Sequence, residues 1–174
     1  MHLSEWSERL KFIQIGIEGK SVGKRISPLL DRSISEVFPR NLVVLTPTQR
    51  ATEALSHLED EGVDFALIQD SPDTILGVLD RESISSFVEA STRPVGDLVV
   101  ASLMSRNVCI EPDSATLREV MERMTLGSCP CTVIVDRIGQ PVFIVSPKAI
   151  IEFFETAEAG GGSPQVYARV AAVG

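Results

Sequence analysis

The order of apolar and polar positions repeats along the chain. Residues 133–150 run as a short apolar strand, a polar turn around Gly139, a second apolar strand and a helix that begins at Pro147. Residues 67–84 show the same order 66 positions earlier, without a gap. A pattern that recurs at this length predicts one folding unit that has been duplicated.

A helix and a strand precede this segment in each copy. In the first copy we predict a helix that starts at Thr46–Gln49, with Thr46 as its N-cap, and ends at Gly62. The prediction continues with strands over 65–68 and 75–79 and a helix over 81–90. In the second copy we predict a helix that starts at Pro112–Ser114 and stops at Gly127. The fold class is therefore α/β, with two β-α-β-β-α repeats whose sheets pack together with pseudo-two-fold symmetry.

The segments outside the repeats carry different signals. Apolar residues spaced three and four apart from Leu3 to Ile17 predict a helix that packs on the rest of the chain or forms a dimer contact, and a strand at its end stays open. Glycines from Gly160 onward indicate a flexible linker. The predicted organisation is an N-terminal helix and linker over 1–32, repeats over 33–93 and 94–156, and a tail over 157–174.

Charge and cysteine content exclude some classes of partner. The net charge of -8 disfavours binding to nucleic acid or an anionic membrane through a general basic surface. No apolar run reaches the ~18 residues that a membrane span needs, and the N-terminus lacks the apolar run of a signal peptide. Three cysteines, an odd number without a disulfide framework, indicate a reducing compartment. We therefore predict a cytoplasmic protein.

The two repeats resemble the paired cystathionine β-synthase (CBS) domains, often called a Bateman module. The resemblance covers about residues 33–156. It depends on the order, spacing and duplication of short segments that each match the family loosely. In the first copy these segments are residues 37–41, Thr46-Pro47 and residues 77–80. In the second copy they are residues 102–107, Pro112-Asp113, residues 133–136 with Gly139, and residues 144–146.

This resemblance implies a non-catalytic sensor. CBS pairs commonly bind AMP, ADP, ATP or S-adenosylmethionine in clefts between the repeats and pass the occupancy to an attached enzyme, channel or partner. In the family's pattern, a Thr or Ser ends the second strand beside a helix N-terminus, where amide groups favour phosphate. An Asp three residues later accepts hydrogen bonds from ribose hydroxyls.

Neither repeat keeps the complete pair. The second repeat retains the hydroxyl as Ser146 but has Ala149 at the Asp position, and the first repeat has Asp80 and Ser83 at the two positions. A carboxylate at Asp80 would repel phosphate, although Asp80 is also a good N-cap. Phe143 replaces the strand-ending glycine that the first copy keeps as Gly77, and it either adds bulk near the second cleft or packs in the core.

Two interpretations of the clefts follow. In the first, one cleft binds an adenine nucleotide or another small anion. The predicted ligand-binding residues are Ser146, Lys148, Ala149, Val108, Cys109 and Ile110, with Asp80 and Ser83 at the other cleft. Lys148 would add a positive charge for phosphate. In the second interpretation both clefts are empty and the pair is a dimerisation or protein-interaction scaffold.

No catalytic arrangement emerges from the remaining motifs. Gly19-Lys20-Ser21 fails the P-loop pattern because Gln14 stands where its first glycine should be. His57 falls on the polar side of its helix. Cys129-Pro130-Cys131 could take part in a metal or redox site but lacks a nearby histidine, so these cysteines are interpreted as structural. We expect a homodimer, as is common for CBS pairs, and a separate effector protein.

Overall fold

The computed structural model describes Glu8, residues 28–91 and residues 97–158. Apart from Glu8, the predicted N-terminal helix lies outside the described residues, as does the tail beyond Glu158. In chain order the elements are α1 Ile34–Val37, β1 Val44–Leu45, α2 Ala51–Asp60, β2 Phe65–Ser71, β3 Thr74–Asp80, α3 Arg81–Ala90, a 3₁₀ turn Val100–Ser102, β4 Cys109–Pro112, α4 Leu117–Gly127, β5 Thr132–Val135, β6 Pro141–Val145 and α5 Pro147–Glu158.

The described residues form two compact units. The first unit is Asn41–Val108, and the second unit combines residues 28–40 with residues 109–158. Each contains a three-stranded sheet with one parallel and one antiparallel pairing, in the order β1-β2-β3 in the first unit and β4-β5-β6 in the second. The predicted α/β class and the repeated strand-turn-strand segment are confirmed.

The sheet registers match at the spacing of the sequence repeat. In the first unit Leu67 pairs with Val44 and with Val78. In the second unit Val133 pairs with Ile110 and with Ile144. Because these residues differ by 66 positions in every case, the duplication is a duplication of three-dimensional structure.

Each unit has its own apolar core between its sheet and its helices. The first core contains Val43, Leu45, Ala51, Ala54, Leu58, Ala66, Ile68, Leu79, Ile84 and Val100. The second core contains buried residues of α1, α4, β5, β6 and α5 together with Leu30, Phe38 and Ala115. Alternate strand positions supply these cores, since successive side chains of a strand point to opposite faces.

Helices α2 and α4 begin later than the sequence predicts. Thr46 is not an N-cap: its carbonyl accepts a hydrogen bond from the Gln49 amide at 3.2 Å in a turn, and α2 starts at Ala51. The cause is tertiary, because Arg50 bridges Val99 and the Ala51 amide donates to the Leu98 carbonyl at 2.8 Å. This pairing keeps the chain extended up to Arg50.

The second unit repeats this helix entry. Ser33 bridges Thr116, and the Leu117 amide donates to the Arg32 carbonyl at 3.0 Å, so α4 starts five residues after the predicted Pro112. Thr116 and Glu119 form a capping box. Hydrogen bonds from the Thr116 amide and hydroxyl to the Glu119 carboxylate lower the pKa of Glu119.

The compact units do not follow the predicted repeat boundaries of 33–93 and 94–156. Residues 28–40, which precede the first repeat's strands, complete the second unit, and residues 97–108 complete the first unit. Ser33 and Val99 take the same structural role 66 positions apart. The first segment of each sequence repeat therefore belongs to the compact unit that contains the strands of the other repeat.

Candidate functional site

The candidate site of the second unit lies where β6 passes into α5. Cys109 pairs with Thr132, and Thr132 pairs with Val145, so these three residues form the last row of the sheet. Ser146 follows Val145 directly and precedes Pro147, the first residue of α5. We call Ser146 together with the first turn of α5, residues 147–150, the α5 mouth.

Ser146 caps the helix at this mouth. Its side chain is buried, with 7% of the residue exposed, and its Oγ accepts a hydrogen bond from the Ala149 amide at 3.1 Å. Its carbonyl accepts from the Ile150 amide at 3.2 Å. The hydroxyl hydrogen is not used by these bonds and is available to donate to an anion, and the positive end of the helix dipole favours negative charge at the same place.

The other predicted residues of this site are partly brought together with Ser146. Lys148 and Ala149 are half-buried in the first turn of α5. Cys109 and Ile110 begin β4 at the same end of the sheet, about 10 Å from Ser146 across two strand spacings. Val108 belongs to the first unit, as the last residue of Asn41–Val108.

The corresponding mouth of the first unit is closed by a carboxylate. Asp80 ends β3, and its two carboxylate oxygens accept hydrogen bonds from the Glu82 amide at 3.1 Å and the Ser83 hydroxyl at 3.2 Å. The predicted N-cap role of Asp80 is confirmed. The neighbouring cation, Arg81, is paired with Asp64 at 2.7 Å. An anion at this mouth would therefore meet a negative charge, and the Ser83 hydroxyl already donates its hydrogen to Asp80.

Burial raises the pKa of Asp80, although its hydrogen bonds from Glu82 and Ser83 act in the opposite direction. We expect Asp80→Asn to stabilise the protein near neutral pH and less so in acid. The folded state binds this proton more tightly than the unfolded chain, so the stability associated with Asp80 is greatest below the unfolded pKa and falls as pH rises through the folded pKa. Asparagine retains the capping oxygen without the buried charge.

The measurement is the urea-unfolding free energy of both proteins between about pH 4 and about pH 7. The difference between variant and wild type should grow across this range. Asp70→Asn, at an exposed position of β2, serves as the matched control and should show no such growth. A difference for Asp80→Asn that stays constant with pH would contradict the expectation.

Sequence reasoning missed a disulfide beside the α5 mouth. Cys109 is bonded to Cys129, with 5.9 Å between their Cα atoms, whereas Cys131 is free and buried. The sequence showed no disulfide framework, and the bond between Cys109 and Cys129 corrects that interpretation. The signal was present in the topology: Cys109 begins β4 and Cys129 lies just before β5, and parallel neighbouring strands begin at the same edge of a sheet.

Thr132 is a second feature that the sequence did not single out. It is fully buried in the row between Cys109 and Val145, and its hydroxyl has no hydrogen-bond partner among the residues that the structure describes. A buried hydroxyl without a partner lowers stability by about 1–3 kcal/mol relative to an apolar side chain of the same shape. The equivalent position in the first unit is Ala66, which is also fully buried.

Comparison with solved structures identifies the fold. A hemolysin-like protein containing a CBS domain from Oenococcus oeni superposes with a TM-score of 0.63 at 17% identity, covering 78% of this chain and 98% of that one. The chain has the fold of a CBS domain pair. No family model and no curated protein matches the sequence.

Two further CBS structures also resemble the chain. The CBS domain of a bacterial CNNM/CorC family Mg²⁺ transporter in complex with ATP gives a TM-score of 0.63 at 14% identity, covering 81% of this chain and 96% of that one. The CBS-pair protein CBSX2 from Arabidopsis thaliana gives 0.56 at 19% identity, covering 70% and 92%. No helix within the described ranges is both long and apolar enough to cross a membrane.

Proposed function

We propose that this CBS pair is a non-catalytic regulatory module that binds an adenine nucleotide or a related small anion at the α5 mouth and signals to a separate effector protein. The observation that carries the proposal is the contrast between the two helix mouths. The mouth at Ser146 presents a buried neutral hydroxyl beside Lys148, whereas the mouth at Asp80 presents a carboxylate. Only the first fits a phosphate.

The ligand that fits best is one whose phosphate is recognised more strongly than its ribose. Ala149 stands one helical turn after Ser146 and has no side-chain acceptor for a ribose diol. AMP, ADP and ATP carry the required phosphate, and S-adenosylmethionine does not. The ATP-bound CBS domain among the similar structures supports testing ATP first. We propose in addition that the module is a homodimer and that it functions in the cytoplasm.

We expect wild-type protein to be stabilised by about 2.7 kcal/mol at a nucleotide concentration of one hundred times its Kd. Ser146→Ala should weaken binding at least about tenfold, because the hydroxyl donor is lost, and should cost about 1 kcal/mol of stability as a lost cap. Lys148→Met should weaken binding by removing the cation while keeping the apolar stem. Isothermal titration calorimetry and thermal unfolding measure both effects.

Arg137→Met is the matched control, because Arg137 is an exposed cation of the β5–β6 turn in the same unit. It should leave nucleotide affinity unchanged. If wild-type protein gives no heat and no thermal shift with AMP, ADP, ATP or S-adenosylmethionine at millimolar concentration, the sensor proposal fails.

The second candidate function is a scaffold without ligand. The absence of a ribose acceptor at Ala149 and the carboxylate at Asp80 both favour it. This candidate predicts a homodimer that persists at low concentration with no nucleotide response. Because both functions predict a homodimer, calorimetry with nucleotide separates them, and light scattering over a dilution series tests the dimer itself.

A further inference from the structure

The Cys109–Cys129 disulfide fixes the two chain segments that flank the sheet row beside the α5 mouth. Cys109 is the first residue of β4 and the point at which the chain enters the second unit, and Cys129 lies between α4 and β5. In the sheet, Cys109 pairs with Thr132 and Thr132 with Val145, the residue before Ser146. The disulfide therefore constrains the row of paired residues that ends directly before Ser146.

The backbone near the disulfide leaves room for its two sulfur atoms. Both cysteines are buried, with 7% and 6% of their surface exposed. A Cβ added at Gly127 would lie 2.9 Å from the Cys109 sulfur and 3.0 Å from the Cys129 sulfur, so only glycine leaves room there. Ser128 then takes a left-handed conformation, with φ of 50°, which turns the chain toward Cys129.

The same close packing leaves little room for the thiol form on the side of Gly127. Two separate thiols occupy more space than a bonded pair of sulfurs, and even one added methyl group at Gly127 would lie within 3.0 Å of both sulfurs. Reduction would therefore displace either the start of β4 or the segment 128–131. Both segments lead into the row of Cys109, Thr132 and Val145, so the displacement would reach the backbone before Ser146.

We propose that this disulfide is a reversible redox control on the α5 mouth. In the oxidised form the bond fixes the sheet row and preorganises Ser146 and the first turn of α5, and in the reduced form the row is loosened and affinity for an anionic ligand falls. The effect on affinity rests on the function proposed above, whereas the effect on the structure of the mouth does not. Preorganisation raises affinity because less ordering remains to be done on binding.

The chemistry requires a dithiol reductant or a disulfide oxidant. A thiolate of the reductant attacks one sulfur of the Cys109–Cys129 bond and forms a mixed disulfide, while the other cysteine leaves as a thiolate and takes up a proton. The second thiol of the reductant then attacks the mixed disulfide, releases the remaining cysteine thiol and closes the reductant as a cyclic disulfide. Two electrons and two protons pass to the protein, and the reverse exchange with a disulfide restores the bond.

The decisive experiment is hydrogen exchange of the full chain, without ligand, in oxidised buffer and in buffer with dithiothreitol. We expect reduction to accelerate exchange of the amides of residues 109–111 and 149–151 by about tenfold or more, with no change in β2 and β3 of the first unit. Cys129→Ala should exchange rapidly in both buffers. Cys131→Ala, which retains the bond, should respond to dithiothreitol as wild type does.

Mass spectrometry of the peptides must detect the Cys109–Cys129 bond in the oxidised sample, and its absence would overturn the proposal. Equal exchange of residues 149–151 in both buffers would also overturn it. Calorimetry with ATP in the two buffers then tests the coupling, with an expected loss of about tenfold in affinity on reduction. If AMP, ADP, ATP and S-adenosylmethionine bind in neither buffer while the exchange difference is present, the proposed function fails and the structural redox control stands.

Discussion

Gly77→Ala is expected to lower the free energy of unfolding by about 3 kcal/mol or more, because overpacking against fixed backbone costs about 1–3 kcal/mol and lost hydrogen bonds add about 1 kcal/mol each. The new Cβ would overlap the Ser105 carbonyl oxygen and lie 3.3 Å from the Met104 sulfur. That carbonyl cannot retreat freely, since it accepts a hydrogen bond from the Val78 amide at 2.9 Å, and the Ser105 amide donates to the Val78 carbonyl at 2.8 Å.

Gly62→Ala is the matched control for this prediction. Gly62 lies in the same unit with a positive φ of 64° and nothing within 4 Å of an added Cβ. Its substitution should cost only about 1–2 kcal/mol, the cost of a left-handed conformation for a residue with a side chain. Urea unfolding of both variants gives the comparison, and equal losses would show that contact with the Ser105 backbone is not the cause.

Phe143→Ala is expected to cost about 3–5 kcal/mol, the range measured for removing a buried aromatic side chain. Phe143 is 1% exposed, packs in the core of the second unit and pairs with Ile134 across the sheet. Phe87→Ala is the control, because Phe87 is 42% exposed on α3. It should lose less than Phe143→Ala by the same measurement, about 1–2 kcal/mol, since less apolar surface returns to water. A loss at Phe87 as large as that at Phe143 would contradict this reasoning.

Gly77 and Phe143 occupy the same position in the two repeats, 66 residues apart. Comparing them explains where the side chain of Phe143 lies, which the sequence left open. Phe143 was expected either to fill the ligand cleft or to pack in the core, and the structure places it in the core. In the first unit Ser105 pairs with Val78, the residue after Gly77. The residue equivalent to Ser105 is Pro39, which has no amide hydrogen to donate. The first repeat therefore needs a glycine for a close backbone contact that the second repeat cannot form in the same way.

Local patterns predicted the strands and the starts of α3 and α5 well, and the starts of α2 and α4 poorly. Strand alternation and turn residues placed β2, β3, β5 and β6 within a few residues of their observed bounds. Thr46 and Pro112 have the composition of helix starts, but α2 and α4 begin after a backbone bridge to a distant segment. Hydrogen bonds between residues as far apart as Ile34 and Ala115 have no local sequence signal.

The chemistry of the site was predictable only in part. The resemblance to CBS pairs identified Ser146 as the hydroxyl position, and the role of Asp80 as a cap followed from its place before a helix. Two features depend on how β4 aligns with β5: the bond between Cys109 and Cys129, and the buried hydroxyl of Thr132. The sequence predicts that these two strands are neighbours, but it does not predict which of their residues pair. Ligand recognition therefore remains a proposal centred on Ser146.

The exchange of leading segments between the units has a consequence for synthesis of the chain. Asn41–Val108 is continuous, so it can fold as soon as it leaves the ribosome. The segment of residues 28–40 emerges earlier but finds its partner strands only after that unit has been made, and the Ile34 amide must wait for the Ala115 carbonyl. During this interval Leu30, Ile34 and Phe38 have no core to enter. The second unit is therefore the one that is exposed to misfolding and to chaperone capture while the chain grows.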